Sequence, residues 1–384
     1  MKYKLGDIAT IKMGQSPAGK DLNTDGEGVP FLQGRKTFGR IYPTIDTWTT
    51  APKKIGKNGS ILLSLRAPVG DINIANQDIC IGRGLCSIES KDNFLQKYIY
   101  YLLLFNKQII QSKATGTTFQ GINRDDLHNL EIDVPDLETQ NKIARILSAL
   151  DKRIELNNQQ NATLEQIINV HYYSVFSASN NQKRVKASDL FDYEGGYSYT
   201  SAELADESSI GMMTIKNFDR NGGFKTDGFK ALHPNKDKYK TAELFDIFIS
   251  CTDVTQNADI IGNAIMLLDT DKYKTITYSM DLVRIVPKIN RFALFALLAS
   301  KEFKNFALGY KSGTTVLHLN KKCLIEYEVA LPDEEILDSF GEMVEKVYKK
   351  VAINLAENRN LTQMRDSLLP KLMSGEINLD KVEI

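Results

Sequence analysis

Residues 135–168 read PDLETQNKIARILSALDKRIELNNQQNATLEQII. Within them Ile143, Leu147, Leu150, Ile154, Asn157, Asn161, Leu164 and Ile168 follow at alternating steps of four and three. Side chains at that spacing line one seam of a long α-helix, as in a heptad repeat. Asp136, just after Pro135, is suited to cap its start. A second seam follows at Phe340, Val344, Val347, Val351, Asn354, Asn358 and Leu361, and fails at Arg365. Two such helices in one chain are expected to bury their seams against each other. An asparagine pair inside each seam costs stability but can fix register and orientation; the alternative is a solvated stretch of coil. The second helix is expected to be disrupted at Pro370, with Gly375 suited to a C-terminal cap.

The seams belong to a larger duplication. Thr115-Gly116-Thr117-Thr118 with Asn123 recurs as Ser312-Gly313-Thr314-Thr315 with Asn320, a shift of 197 positions that also carries Pro135-Asp136 onto Pro332-Asp333 and Asn157 onto Asn354. Weaker similarity lies upstream, where Ser60–Ser64 resembles Asp246–Ser250 and Lys36–Gly39 sits near Asn217–Arg220. A period near 200 is too long for a solenoid unit and means a duplicated two-part module. The expected boundaries are 1–134 and 179–331 for two globular parts, each followed by a helix, 135–178 and 332–376. Short β-rich runs broken by Gly, Pro and Asn-Gly, beside apolar helical stretches at Tyr98–Ile110 and Phe292–Phe306, make each globular part mixed, giving an α+β fold overall.

Composition is that of a globular protein, with 42% apolar and 25% charged residues. Neither a secretory leader nor a spanning helix is expected, and a cytoplasmic location follows from that reading. Cys80, Cys86, Cys251 and Cys323 show no Cys-x-x-Cys spacing and are expected to be reduced thiols outside any metal site. Net charge is zero, yet residues 1–134 carry 17 basic against 13 acidic side chains, while residues 332–384 carry 7 against 11. A local basic face is therefore allowed.

Catalytic signatures are missing. Gly14-Gln15-Ser16-Pro17-Ala18-Gly19-Lys20 has phosphate-loop spacing, but Asp21 stands where a magnesium-binding hydroxyl is needed and no helix follows, so it is read as a chance match. Gly82-Arg83-Gly84 lacks the third glycine of a dinucleotide fingerprint. No two of the ten prolines are adjacent, which removes the proline pair of an adenine methyltransferase. His128, His171, His233 and His318 have no triad-like neighbours in sequence. No catalytic residue and no metal ligand is expected.

Lys4-Leu5-Gly6-Asp7-Ile8, Ser64-Leu65-Arg66-Ala67-Pro68-Val69-Gly70, the Gly-Thr-Thr segments at 116 and 313, Gln140–Ala144 and Leu369–Glu376 together resemble the specificity subunits of type I restriction–modification enzymes. The resemblance covers nearly the whole chain. It implies two target-recognition domains with a pseudo-two-fold repeat, joined by two conserved helices in an antiparallel coiled coil. Each domain would read one half of a bipartite double-stranded DNA target. The helices would dock two modification (methyltransferase) subunits and, through them, restriction/translocase subunits. S-adenosylmethionine, ATP and Mg would belong to those partners, with no cofactor in this chain. One departure is that Glu138–Lys142 is replaced by Glu335–Ser339, so the second half is expected to hold its partner differently or more weakly. A helix of about 40 residues rises about 60 Å, enough to space half-sites roughly one DNA turn apart.

For DNA contact, Lys and Arg suit phosphates and guanine, while Asn and Gln suit adenine. The candidates are Gln33, Arg35, Lys36, Arg40, Arg66 and Arg83 in the first domain and Lys216, Asn217, Arg220, Asn221 and Lys225 in the second. The Gly-Thr-Thr segments are assigned to packing beside the helices, with phosphate contact as the alternative. A coiled-coil scaffold that binds protein without reading DNA is the competing hypothesis, and a stand-alone DNA enzyme a third.

Overall fold

The computed structural model describes residues 1–91, 94–115, 121–177, 184–220, 222–234, 239–255 and 257–379. The chain forms two compact units, one of Met1–Lys152 with Thr362–Ile384 and one of Arg153–Leu361. Both mix helix and sheet, so the fold is α+β.

In the first unit the apolar run Ile61–Ser64, buried on both faces, lies inside an antiparallel sheet ordered Ala9–Met13, Leu85–Ser90, Ile61–Ser64, Ile72–Ile74. A second sheet is held by a parallel pair, Val29–Leu32 beside Ile79–Ile81. The second unit repeats the order with Phe191–Gly195, Leu282–Pro287, Ile247–Ser250 and Ala264–Met266, and again has a parallel pair, Ile210–Met213 beside Thr275–Tyr278. The expected similarity between Ser60–Ser64 and Asp246–Ser250 thus marks the same strand in the two sheets.

Each apolar helical stretch divides in two. Helices Gln96–Phe105 and Lys107–Ser112 part at Asn106, whose buried amide donates to Leu102 O at 2.8 Å. Arg291–Leu298 and Lys301–Leu308 part at Ser300, whose hydroxyl caps the second helix by accepting from Phe303 N. Among the described residues no helix is long and apolar enough to cross a membrane.

Two helices are far longer, Leu137–Ser177 and Glu334–Met373. Asp136 caps the first, accepting from Thr139 N at 2.9 Å. Pro370 does not end the second, contrary to expectation. A mid-helix proline costs about 3 kcal/mol, but stopping there would expose Leu372, which is 2% exposed in the first unit's core together with Ile143 and Leu147. Burying such a side chain is worth about 1.5–3 kcal/mol, and partly buried Met373 packs beside it. Gly375, with φ +76°, then closes the helix as expected.

The asparagines of the seams meet in the second unit. Asn157 Nδ2 donates to Asn358 Oδ1 at 2.9 Å, and Asn354 Nδ2 donates to Asn161 Oδ1 at 2.7 Å and Gln160 Oε1 at 2.8 Å. The pairs run in opposite order along the two helices, so here the helices are antiparallel. Of the seam residues, Ile143, Leu147, Ile154, Asn157, Asn161, Ile168, Phe340, Val344, Val351 and Asn354 are buried, while Leu150, Leu164, Val347, Asn358 and Leu361 are partly so.

The break of the seam at Arg365 has a partner in the first unit. Arg365 Nη1 donates to Asp151 Oδ1 at 2.9 Å, Arg40 Nη2 donates to the same oxygen at 3.0 Å, and Tyr101 OH donates to Oδ2 at 2.7 Å. Burial and the adjacent carboxylate hold the Tyr101 phenol protonated, well above its ordinary range. The shift of 197 places Asp151 on Tyr348 and Ile168 on Arg365, and in the second unit Tyr348 and Ile168 lie in an apolar core. One seam layer is therefore ionic in one unit and apolar in the other.

Two outcomes follow from these layers. Asn161→Leu is expected to destabilise the protein by about 1–3 kcal/mol, because it strips a partner from the buried Asn354 amide, and adding Asn354→Leu should recover most of the loss; urea denaturation of the single and double variants checks this. Asp151→Ala, which leaves two guanidiniums without their carboxylate, is expected to cost about 3 kcal/mol; an unchanged denaturation midpoint would rule the ionic layer out as a stabilising contact.

Candidate nucleic-acid interface

In the first unit three separate stretches of candidate residues converge on the turn Gly82-Arg83-Gly84. Gly82 N donates to Leu32 O at 2.8 Å, Gly84 N to Gln33 O at 3.2 Å, and Leu65 N to Gly84 O at 2.8 Å. The turn is therefore stitched to the loop after Val29–Leu32 and to the start of the Leu65–Gly70 loop. Backbone proximity explains its composition: a Cβ at Gly84 would lie 2.6 Å from Gln33 O, and one at Gly14 would lie 2.1 Å from Gly82 O. Gly14, Gly82 and Gly84, which mimic nucleotide-binding motifs in sequence, are thus packing requirements, whereas Gly19 has open space around it. Gly19–Asp21 forms a single 3-10 turn, with no long helix to cradle a phosphate.

Around this turn Gln33, Arg35, Lys36, Arg66 and Arg83 are exposed. Ser16 Oγ donates to Gln33 Oε1 at 2.8 Å and accepts from Arg83 N at 3.2 Å, fixing the glutamine beside the arginine. Arg66 pairs with Gly121 across a β-bridge. Arg35 is ion-paired with Asp71, which also accepts from Lys107 Nζ at 2.7 Å, so one carboxylate serves two cations. Lys36, Arg66 and Arg83 have no ion pair among the described residues. Arg40 differs from what was expected of it, because its guanidinium is committed to Asp151, 7% exposed, on the long helix.

The second unit builds the same turn from different residues. Ser279 N donates to Met213 O at 2.9 Å, Cys251 N to Asp281 O at 2.7 Å, and Leu282 N to Ser279 O at 3.0 Å, matching Gly82, Leu65 and Leu85. A Cβ at Gly196 would lie 2.1 Å from Ser279 O, as at Gly14. The loop after the central strand also repeats: Gly70 N donates to Ser64 O at 3.0 Å, and Gly262 N donates to Ser250 O at 2.8 Å. Both glycines have positive φ. The second loop is longer and carries its own supports. Buried Asp253 accepts from Ile260 N, Ile261 N, Thr255 N and Thr255 Oγ1, hydrogen bonds that outweigh burial and lower its pKa. Lys304 Nζ donates to Ala258 O at 3.2 Å, and burial pushes it down to about 8.

Arg35–Thr37 and Ile215–Asn217 are equivalent 3-10 turns, which places Lys216 on Lys36 and Arg220 on Arg40. Lys216 is exposed. Arg220 Nε stands 4.0 Å from Asp259 Oδ2, and Lys225 Nζ 3.8 Å from Asp227 Oδ1. Asn217 is a correction: it is 0% exposed, accepts from Thr214 N and donates to Lys225 O. Its amide builds the loop and is not free to meet a base. Asn221 and the first Gly-Thr-Thr segment, at 116, lie outside the described residues. The second such segment is the exposed turn of the hairpin Lys311–Ser312 and Leu317–Leu319, with Gly313 at φ +100°. It is a tip, not packing against a helix.

Thr252, Met280 and Val316 share this region and were missed. The shift of 197 that relates the Gly-Thr-Thr segments also maps Arg83 onto Met280, so that equivalence was legible. The match of Arg66 to Thr252 needed the strand pairing, because insertions change the offset. Among the described residues no group of three His, Cys, Asp or Glu could hold a metal ion. The four cysteines are free and buried.

A family profile described as "Type I restriction modification DNA specificity domain" matches residues 1–166. The specificity subunit assigned to the MjaX type I restriction enzyme of Methanocaldococcus jannaschii is 43% identical over 160 residues, 41% of this chain and 37% of that relative. The MjaIX specificity subunit of the same organism is 23% identical over 411 residues, 99% of this chain and 94% of its own length. The HindI specificity subunit of Haemophilus influenzae is 28% identical over 413 residues, 85% of this chain and 88% of its own length. The crystal structure of a type I restriction–modification S subunit from M. genitalium shares the fold, with a TM-score of 0.58 and 20% identity, over 97% of this chain and 95% of that one. Residues 1–166 thus match the type I restriction–modification specificity domain, and the chain as a whole, with its duplicated turn and its paired long helices, is similar along its length to the specificity subunits of such systems.

Proposed function

We propose that this chain is the DNA-reading subunit of a type I restriction–modification complex, a non-catalytic protein whose two compact units each read one half of a bipartite target. One observation carries the reading. The same hydrogen-bonded turn occurs in both units, and it presents different side chains, exposed Gln33, Arg66 and Arg83 in one and half-buried Thr252 and exposed Met280 in the other. A fixed backbone with variable tips is what two readers of different base sequences require. Lys36 and Lys216, exposed at equivalent positions, suit phosphate contacts.

In this reading the long helices form an antiparallel coiled coil that docks two modification subunits, and restriction/translocase subunits join through them. Support comes from exposed apolar side chains on these helices, among them Val170 at 70%, Ile353 at 60% and Met364 at 50%, which suit protein contact better than water. S-adenosylmethionine, ATP and Mg would be held by the partner subunits.

Mapping methylated adenine across the genome of cells that express this chain with its modification subunit tests the proposal. A split motif with a constant gap, absent without this chain, is the expected result; an assembled complex that adds no motif would favour the scaffold. In binding assays on the assembled complex, affinity for target duplex should fall steeply with salt. Lys36→Ala and Lys216→Ala should each lower the slope of log affinity against log salt by about 0.9, and a salt-independent affinity would count against DNA reading.

A further inference from the structure

The second unit's turn is ringed by apolar side chains where the first unit's carries cations. Val254 is 64% exposed, Met280 58% and Val316 39%. The strand pairs Thr252↔His318 and Asp253↔Leu317 place Val254 opposite Val316 one step further on. Thr252 Oγ1 donates to Asp281 Oδ1 at 3.0 Å, which draws Met280, the next residue, to the same rim. Lys311 on this hairpin and Lys322 just after it are exposed. Three large apolar groups facing water cost free energy unless a partner covers them. Nothing in the second unit's fold calls for them there, because the equivalent turn in the first unit closes with Arg83 at the tip.

We propose that Val254, Met280 and Val316 form a thymine-methyl reader, so that the second unit's half-site is specified by A·T pairs through apolar contact in the major groove. The inference rests on the DNA-reading function proposed above and assigns its chemistry. The thymine C5 methyl is the one apolar feature on a base-pair edge of the major groove. Lys311 and Lys322 flank the apolar group and supply phosphate contacts beside it, a charge complementarity that a protein partner would not need. In the first unit, Arg83 with Gln33 offers the donors that suit guanine and adenine instead.

The test uses the assembled complex and the target duplex found by methylation mapping, with deoxyuridine replacing thymidine in each half in turn. Each methyl that the rim covers should be worth about fourfold in affinity, so one half-site should weaken about fourfold or more on losing its methyls. That loss should vanish in the Met280→Ala/Val254→Ala variant, and Met280→Arg should alter one half of the methylated motif and leave the other unchanged. Assembly of the variants with the modification subunit, followed by gel filtration, controls for folding, and the wild-type comparison of the two duplexes decides even if a variant fails. Half-sites indifferent to uracil, a target without A·T pairs in either half, or discrimination that survives the double substitution would each overturn the inference. Absence of any split motif would instead overturn the DNA-reading function itself.

Discussion

Polar groups buried inside an otherwise apolar seam constrain this protein more than any other feature. Asn157 finds Asn358, and Asn354 finds Asn161, at 2.7–2.9 Å in the second unit. Slipping one helix by a single turn would bring at most one asparagine pair back together and leave the other two amides without partners, at a cost of about 1–3 kcal/mol for each group. In the first unit Asp151 imposes the same condition with charge, since its carboxylate serves Arg365 on one long helix and Arg40 in the loop below the turn. Apolar packing alone tolerates such a slip; these contacts do not. The ionic layer in one unit and its apolar counterpart, Tyr348 and Ile168, in the other also make the two ends of each helix chemically distinct.

The turn at Gly82–Gly84 and its counterpart at Ser279–Asp281 show how a duplicated module can keep its shape and change its surface. The bonds shared by the two turns run between backbone atoms, from Leu32 and Leu65 in one unit and from Met213 and Cys251 in the other. Gly14 and Gly196 are constrained by contact in the same way, because a Cβ there would sit 2.1 Å from a turn carbonyl. The side chain at the tip bears none of the load and can be arginine or methionine without disturbing the sheet beneath. That independence is what the proposed reading of two different half-sites with one architecture would use.

Part of the candidate site was legible before the fold was known. Lys36, Arg66, Arg83 and Lys216 are residue types suited to DNA, and each is exposed. Asn217 has the same chemistry on paper and is buried, because a side-chain amide serves a backbone as well as it serves a base. Arg40 was consumed by a carboxylate 111 residues away. Val254 and Val316 gave no signal, since exposed and buried aliphatic residues look alike in sequence, and Met280 was marked only by the 197-residue shift that sets it on Arg83.

Periodicity and duplication are properties of residue order, and they determined the two long helices and the repeated mixed α and β module, while the local residue pattern marked the capping role of Asp136 and the resemblance to type I specificity subunits. Local rules were weaker where distant burial competed with them. Pro370 signalled the end of a helix that Leu372 carries onward into the core. Which loops share a rim, which cations keep their charge free for a ligand, and which seam layers are ionic were decided only in the tertiary structure. Each depends on partners that lie tens to hundreds of residues apart along the chain, brought within hydrogen-bonding distance by the packing of sheets and helices.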